Sequence, residues 1–167
     1  MKKRWKPGVT VAAIIERDGR YLLVEEARPE GLMLNNPAGH LEPAESPEQG
    51  VVREAMEETA HPFTPTDLVG IYLSSSLKPI APGSTETEEV TYLRFAYAGT
   101  VGEPEAGRAL DEGIVRALWM TPDEIRASQA RHRSPMVLRC IEDHIAGRRF
   151  PLDVVHTDPA HMGVGVP

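Results

Sequence analysis

Three glutamates stand close together in the segment REAMEE, at positions 53–58. Glu54, Glu57 and Glu58 are separated by intervals of three or four residues or are adjacent, so in a helix their side chains share one side. Carboxylates grouped in this way repel one another and disfavour the helix unless a cation offsets the repulsion. Mg²⁺ prefers carboxylate oxygens, and the bound ion can activate water or stabilise charge on a phosphate. The pattern therefore favours a metal site; the alternative is a solvated acidic face on which Arg53 reaches Glu57.

The helix that would carry these carboxylates has clear start and stop signals. Ser46 is a good N-cap, and Gln49 completes a capping box with it. Pro62 cannot continue the helix and ends it. Gly50 weakens a helix by about 1 kcal/mol relative to Ala. It lies one turn before Glu54, so it predicts space beside the acidic face for a cation, because sequences often break local rules at functional sites.

Composition is ordinary for one soluble domain: 167 residues, of which 41% are hydrophobic and 26% charged. The net charge of −7 argues against a nucleic acid or an anionic membrane as partner. The single cysteine, Cys140, excludes an internal disulfide and suits a reducing compartment. The basic start, MKKRWK, precedes an apolar run that lacks a cleavage segment and is too short to span a membrane. We therefore expect a cytoplasmic protein.

Segments rich in β-branched residues or with alternating hydrophobicity predict strands. The predicted strands are Val9–Glu16, Tyr21–Glu26, a weaker segment at Leu32–Leu41, then Leu68–Leu73, Val90–Ala98 and Ile114–Met120. The residues between them, Lys78–Glu89 and Gly99–Gly113, are predicted to be loops because they are rich in Pro, Gly and acidic residues.

Two further helices follow the last predicted strand. One starts at a Thr121 capping box and runs to about Ala130; the other starts at Ser134 and ends near Gly147. The second would bury a stripe formed by Val137, Leu138, Ile141 and Ile145. Strands interspersed with helices indicate the α/β class. We expect one domain over residues 1–153 and a loosely ordered C-terminal tail over residues 154–167.

A longer pattern encloses the three glutamates. Five residues separate Gly39 from Glu45, and seven separate Glu45 from the run Arg53–Glu58. This arrangement resembles the box of the Nudix family, G-x5-E-x7-R-E-U-x-E-E-x-G-U, in which U is a bulky aliphatic residue. Seven positions match at fixed spacing when Ala55 is counted as a small version of the first U, whereas Ala60 and His61 replace the last glycine and the last aliphatic residue. These departures concern the end of the helix rather than its carboxylates.

The resemblance implies an α/β/α sandwich with a mixed sheet and Mg²⁺-dependent hydrolysis of a phosphoanhydride, with Mn²⁺ as a possible substitute. The implied metal ligands are the backbone carbonyl of Gly39 and the carboxylates of Glu54, Glu57 and Glu58. Glu54 would lie closest to the attacking water, as ligand or base. Arg53 and Glu45 would hold the acidic side chains in place.

Residues outside the box are candidates for contacts with the substrate. Arg28 and Arg94 suit phosphate because a guanidinium group binds it in fork geometry; a structural or merely exposed arginine is the alternative for each. Nudix enzymes often take a further base or metal ligand from a loop outside the box. Asp111 or Glu112 is best placed for that role, and a solvated loop acid is the alternative.

The implied substrate is a small nucleotide-like molecule, either a nucleoside tri- or diphosphate or a thiamine-precursor pyrophosphate. One alternative is an ADP-ribose or dinucleoside-type pyrophosphatase with the same metal site and a larger pocket. Another is a Nudix-fold binding module without catalysis. Such modules commonly lose carboxylates of the box, whereas this chain keeps all of them, so we expect an enzyme.

Overall fold

The computed structural model describes residues 4–162, which contain seven strands and four α-helices. The strands are β1 (Gly8–Arg17), β2 (Arg20–Arg28), β3 (Gly31–Asn35), β4 (Ala38–His40), β5 (Phe63–Pro79), β6 (Thr87–Val101) and β7 (Ile114–Met120). The helices are α1 (Pro47–Thr59), α2 (Pro122–Ala127), α3 (Met136–Ile145) and α4 (Pro159–Met162). In this part of the chain, no helix combines the length and the apolar character that crossing a membrane requires.

The sheet is built around β1. Its order is β3-β2-β1-β6-β5, with β4 pairing with β1 and β7 pairing with β2. β6 runs parallel to β1, whereas β2 and β4 run antiparallel to it. The sheet is therefore mixed, as predicted.

Side chains of β1 alternate between two hydrophobic clusters, because successive residues of a strand point to opposite faces. Val11 and Ile15 belong to the cluster that contains Val51 of α1. Ile14 belongs to the cluster that contains Ile141 of α3. The sheet thus lies between α1 and α3, and the predicted α/β/α sandwich is confirmed.

The hairpin formed by β5 and β6 is longer than the sequence indicated. The predicted strand Leu68–Leu73 covers only part of β5, and the prediction of a loop over Lys78–Glu89 is wrong at both ends. Pairing continues to Pro79 and Thr87, so the connecting loop spans only residues 80–86. The serines at positions 74–76 carry no hydrophobic signal, yet their backbones pair along β6 and extend the strand.

Helix α1 begins and ends close to the predicted positions. The Ser46 side chain accepts from the Gln49 backbone and the Gln49 side chain from the Ser46 backbone, which confirms the capping box. Ala60 ends the helix at φ 59°, and its N–H donates to the carbonyl of Met56. Glycine normally occupies this left-handed position, and a Cβ there costs about 1 kcal/mol. The departure at Ala60 therefore strains the helix end without changing its path.

The two later helices differ from the prediction at their ends. α2 ends at Ala127 rather than near Ala130, and a 3₁₀ turn follows it. Ile145, the last residue of α3, does not belong to the buried stripe, since the residue is 45% exposed. Gly147 turns the chain with a φ of 82°.

The predicted division at residue 153 stays a prediction. Leu152 and Val155 both pack against the hydrophobic cluster on the α1 side of the sheet. Residues 163–167 of the predicted tail, and the first three residues of the basic N-terminus, lie outside the described part of the chain.

The packing of α3 on β2 predicts a loss of stability at acid pH. Nδ1 of His144 lies 2.7 Å from the hydroxyl of Tyr21. Burial lowers the pKa of His144 from 6.5 to about 4; Arg149 lowers it further, while Glu16 and Asp67 oppose the shift. The unfolded chain thus binds this proton near pH 6.5 and the folded chain only near pH 4. Stability should fall by about 2 kcal/mol across that window, after allowance for partial exposure.

The variant His144→Gln isolates this contribution. Urea unfolding at several values between about pH 7 and about pH 4.5 should give a shallower loss of stability in the variant than in the unmodified protein. Equal slopes for the two proteins would show that His144 titrates normally in the folded state.

Candidate active site

A cavity of about 530 Å³ lies between α1 and the β5–β6 hairpin. Its acidic wall comes from α1 and the loop before β7: Glu54, Glu57, Glu58 and Asp111. The opposite wall comes from the hairpin: Ser74, Ser75, Ser76, Lys78, Tyr92 and Arg94. The cavity therefore brings the carboxylates of the box together with cations that lie far from them in sequence.

The close approach of β4 to α1 explains why position 39 is glycine. A Cβ built on Gly39 would lie 2.1 Å from Oε1 of Glu54 and 2.2 Å from its carboxyl carbon. No side chain fits there unless Glu54 moves. The backbone of Gly39 thus packs directly against the carboxylate of Glu54.

Arg53 organises the acidic side chains around it. Its Nε and Nη2 donate to the two carboxylate oxygens of Glu45, at 3.0 and 2.8 Å. Its Nη1 donates to Oε1 of Glu54 at 2.7 Å and to Oε2 of Glu57 at 2.9 Å. Nη2 also donates to the carbonyl oxygen of His40 at 3.0 Å. One guanidinium group therefore links three box glutamates to the end of β4.

Gly50 has a different role from the one predicted. A Cβ at Gly50 would lie 2.8 Å from Oε1 of Glu45 and 3.1 Å from Cδ1 of Leu41. The prediction of open space for a cation beside Gly50 is therefore wrong. The missing side chain makes room for the carboxylate that holds Arg53.

The carboxyl groups of the acidic wall are packed closely together, and burial disfavours their charged forms. Oε2 of Glu58 accepts from the Ala38 backbone at 2.8 Å, and only 7% of the residue is exposed. Burial raises the pKa of Glu58 to about 8, and the nearby carboxylates of Glu54, Glu26 and Asp111 contribute to the rise. Burial also raises the pKa of Glu54. A group of buried carboxylates with raised pKa values is a favourable place for a cation.

The donor set suits a hard metal ion, although its present rotamers do not surround one point. Among residues 4–162, no three His, Cys, Asp or Glu side chains form a metal-binding group as they stand. Instead Glu54 and Glu57 share Nη1 of Arg53. Within the same residues, Oε2 of Glu54, Oε1 of Glu57 and Oε1 of Glu58 accept no hydrogen bond, so each offers a carboxylate oxygen of the kind Mg²⁺ binds. Rotation of these side chains is what a bound ion would require.

The candidates outside the box divide into two groups. Arg94 lines the cavity, where its Nη1 donates to Oδ1 of Asn36 at 3.3 Å. Arg28 also lines it, but its Nε and Nη2 are held by Oε2 of Glu26 at 2.8 and 2.7 Å. Arg28 therefore has a carboxylate partner in the described part of the chain, and its contact with substrate stays a prediction.

Of the two loop acids, the structure brings only Asp111 into the cavity lining. Glu112 is exposed and does not line it. The backbone N–H of Asp111 donates to the carbonyl of Glu57 at 3.0 Å, which ties this loop to the end of α1. Asp111 is therefore the better placed of the two candidates, and a role for Glu112 stays a prediction.

Sequence reasoning missed two cations of the cavity. Lys78 fell in a predicted loop, although it alternates with Ser74 and Ser76 along β5 and so shares their face. Arg133 lies between two helices, and its Nε is 3.2 Å from Oε2 of Glu26, which is almost fully buried. No local pattern marked Arg133, because its partner lies in β2.

A second groove, of about 660 Å³, runs along α3. It contains none of the box residues, and its charged side chains are paired with each other or with nearby groups. Arg139 lies 3.0 Å from Asp143, and Glu142 accepts from Arg126. The reactive groups are therefore in the smaller cavity.

An α/β/α sandwich that presents this set of box residues in a cavity defines a Nudix hydrolase. The NUDIX domain family matches residues 4–140, and the chain belongs to that family. The phosphatase NudJ of Escherichia coli strain K12 is 31% identical over 151 residues, which cover 90% of this chain and 92% of NudJ. The Shigella flexneri phosphatase NudJ gives the same values.

Solved structures agree with this assignment. A NUDIX hydrolase from Nitrosomonas europaea is 51% identical with a TM-score of 0.80, covering 92% of this chain and 98% of that chain. A UDP-X diphosphatase, 16% identical with a TM-score of 0.64 over 90% of this chain and 68% of that one, shares the fold. The protein is thus a hydrolase that acts on phosphoanhydride bonds.

Proposed function

We propose that this hydrolase is a Mg²⁺-dependent phosphatase or pyrophosphohydrolase for a small nucleotide-like substrate. Candidate substrates are a nucleoside tri- or diphosphate and a thiamine-precursor pyrophosphate. The observation that carries the proposal is the cavity itself, whose lining combines carboxylate oxygens that accept no hydrogen bond within residues 4–162 with the cations Arg94 and Lys78. A volume of about 530 Å³ suits a small ligand. The likeness to proteins named phosphatase NudJ supports a phosphatase activity.

The residues that would hold Mg²⁺ are the Gly39 carbonyl, Glu54, Glu57 and Glu58. Mn²⁺, which also takes oxygen ligands, would be an alternative. A bound ion supplies neutralisation of phosphate charge and activation of water.

The side chains of the cavity divide the remaining work. Glu54 accepts the proton of the water that attacks phosphorus; its raised pKa and its contact with Gly39 suit a positioned base. The bond between that phosphorus and its leaving-group oxygen breaks as the new bond forms. Arg53, anchored by Glu45, fixes the orientation of Glu54. Asp111 is a second candidate for a base or ligand at the same wall.

Arg94 is the proposed contact to substrate phosphate, since it lines the cavity and has no carboxylate partner within residues 4–162. Arg28 would contribute mainly by supporting the wall beside Glu26. The acidic net charge of −7 favours a small-molecule substrate over nucleic acid, and the single cysteine, Cys140, suits a cytoplasmic enzyme.

A panel of substrates tests this proposal. Each compound is assayed with Mg²⁺, with Mn²⁺ and with EDTA, and orthophosphate, pyrophosphate and AMP are measured separately. We expect orthophosphate or pyrophosphate from nucleotides, in a reaction that EDTA abolishes. AMP from ADP-ribose as the main product would instead support the ADP-ribose pyrophosphatase. Binding without hydrolysis across the whole panel would favour a binding module.

A further inference from the structure

The β5–β6 hairpin presents a row of polar side chains to the cavity. In its register Ser74 faces Tyr92 and Tyr72 faces Arg94. Residues directly opposite in antiparallel strands share a face, as do residues two apart along one strand. Lys78 therefore lies on the same face as Tyr92 and Arg94.

The ammonium group of Lys78 reaches back along the hairpin to Tyr92. Its Nζ donates to the Tyr92 hydroxyl at 2.7 Å and lies 4.8 Å from the centre of the ring. Lys78 is four residues beyond Ser74, or about 13 Å along an extended strand, so the side chains of Lys78 and Tyr92 must extend toward each other to make this contact. The phenol ring thus holds the ammonium group at the cavity.

Neither cation of this row is neutralised by a carboxylate within residues 4–162. Glu88 lies opposite Lys78 in register, yet the ammonium group of Lys78 donates to the hydroxyl of Tyr92 instead. Arg94 donates to the neutral amide of Asn36. The thiol of Cys140 lies beside Arg94, but burial raises its pKa, so it is neutral. By contrast, Arg28 and Arg133, which also line the cavity, both pair with the carboxylate of Glu26.

Both cations line the same cavity as the acidic wall, and neighbouring residues connect them to it. Asn36, which binds Arg94, is two residues before Ala38, whose N–H binds Glu58. The ring of Tyr92 lies 5.9 Å from the ring of His40 at the other end of β4. A phosphate chain that begins at the carboxylates would therefore reach the two cations within the same cavity.

We propose that Lys78 and Arg94 form a binding site for a terminal phosphate of the substrate. This inference rests on the proposed function. A terminal phosphate carries about −1.5 to −2 charges near neutral pH, because its second pKa is about 6. A diphosphate capped at both ends carries about one charge per phosphate and has no dianionic group to match two unpaired cations. The site thus selects nucleoside di- or triphosphates and monoester pyrophosphates over ADP-ribose and dinucleoside compounds.

Two substrates that differ only in the group attached to the second phosphate test this selectivity. ADP ends in a phosphate, whereas ADP-ribose carries a sugar on the same diphosphate. We expect the unmodified enzyme to prefer ADP in kcat/KM. Lys78→Gln and Arg94→Gln should each lower kcat/KM for ADP by about tenfold or more, the effect of losing one charge-assisted hydrogen bond. For ADP-ribose the loss should be less than about threefold, since the capped phosphate carries less charge for the cation to bind.

Two control variants separate this effect from general changes in charge or folding. Lys78→Arg keeps the charge and should keep the preference for ADP. Arg20→Gln removes a cation that pairs with Glu124 and does not line the cavity. It should leave kcat/KM for both substrates unchanged. Arg94 is partly buried, so thermal unfolding of every variant is measured, and Lys78→Gln decides the question if Arg94→Gln is unstable.

A binding measurement distinguishes failure of this inference from failure of the proposed function. Titration calorimetry with the inert analogue α,β-methylene-ADP, in the presence of EDTA, measures affinity for the phosphate site in the absence of turnover and metal. The Kd should rise by about tenfold in Lys78→Gln and stay unchanged in Arg20→Gln. Equal binding by both variants, or a preference of the unmodified enzyme for ADP-ribose, would overturn the inference. If binding behaves as expected but nothing is hydrolysed, the proposed function alone fails.

Discussion

The variant Glu54→Gln should lower kcat by a factor of about 10² to 10⁴, the usual contribution of a positioned base. Glutamine keeps the shape of the glutamate side chain, which packs directly against the backbone of Gly39. It cannot accept the proton from water, and it removes one charge from the proposed ligand set. The loss should appear in kcat rather than in KM, because substrate phosphate is bound largely by other groups.

The same variant should fold at least as well as the unmodified protein. Burial raises the pKa of Glu54, and the carboxylates of Glu57 and Asp111 add to that effect. An amide carries no charge to bury or to repel these neighbours. We therefore expect an unchanged or higher Tm, which would show that the lost activity is not lost structure.

A glutamate on the same helix provides the matched control. Glu48 lies in the first turn of α1 and does not line the cavity. Glu48→Gln should keep activity within about twofold, since a surface substitution away from the site has little effect. Turnover of Glu54→Gln equal to that of Glu48→Gln would remove Glu54 from its proposed role.

Much of the fold followed from local signals in the sequence. The capping box at Ser46 fixed the start of α1, and the predicted strand Ile114–Met120 coincides with β7. These signals lie within a few residues of the elements they define. Hydrophobic alternation found the centre of β6 but not its outer end, where Thr87–Glu89 pair with β5 although all are polar.

The candidate site shows the same division between local and long-range information. The spacing of the box identified the glutamates that contact Arg53. Glu54 and Glu57 lie on the same helix as Arg53, so their closeness follows from helical spacing alone. The occupant of the space beside Gly50 could not be predicted, since it depends on how the loop carrying Glu45 folds back. Lys78 was also missed, because its position depends on the full length of the hairpin.

Arg53→Ala should have the second large effect, on both stability and activity. The side chain makes five hydrogen bonds, to Glu45, Glu54, Glu57 and the backbone of His40. Its removal leaves carboxylates without their cation. Breaking a buried ion pair costs about 3–5 kcal/mol. Because 21% of the Arg53 side chain is exposed, we expect about 2–4 kcal/mol, measured by urea unfolding near neutral pH.

Activity should fall by about 10- to 100-fold, as for other residues that support a metal ligand rather than contact substrate. Arg53→Lys keeps the charge but cannot reproduce the fork to Glu45, so its activity should be intermediate. A lysine variant as active as the unmodified enzyme would show that charge alone matters and that the geometry of the guanidinium group does not.

The pH dependence of stability distinguishes the ion pairs of Arg53 from its packing. Burial raises the pKa of Glu45, but hydrogen bonds from Arg53 and from the Glu42 backbone outweigh it, and the pKa lies below its usual value of 4.5. A lowered carboxyl pKa contributes stability above about pH 4.5 and loses it as pH falls below that value. The difference in unfolding free energy between the unmodified protein and Arg53→Ala should therefore shrink in acid. A difference that stays constant down to about pH 3 would mean that Arg53 stabilises α1 through its hydrocarbon chain.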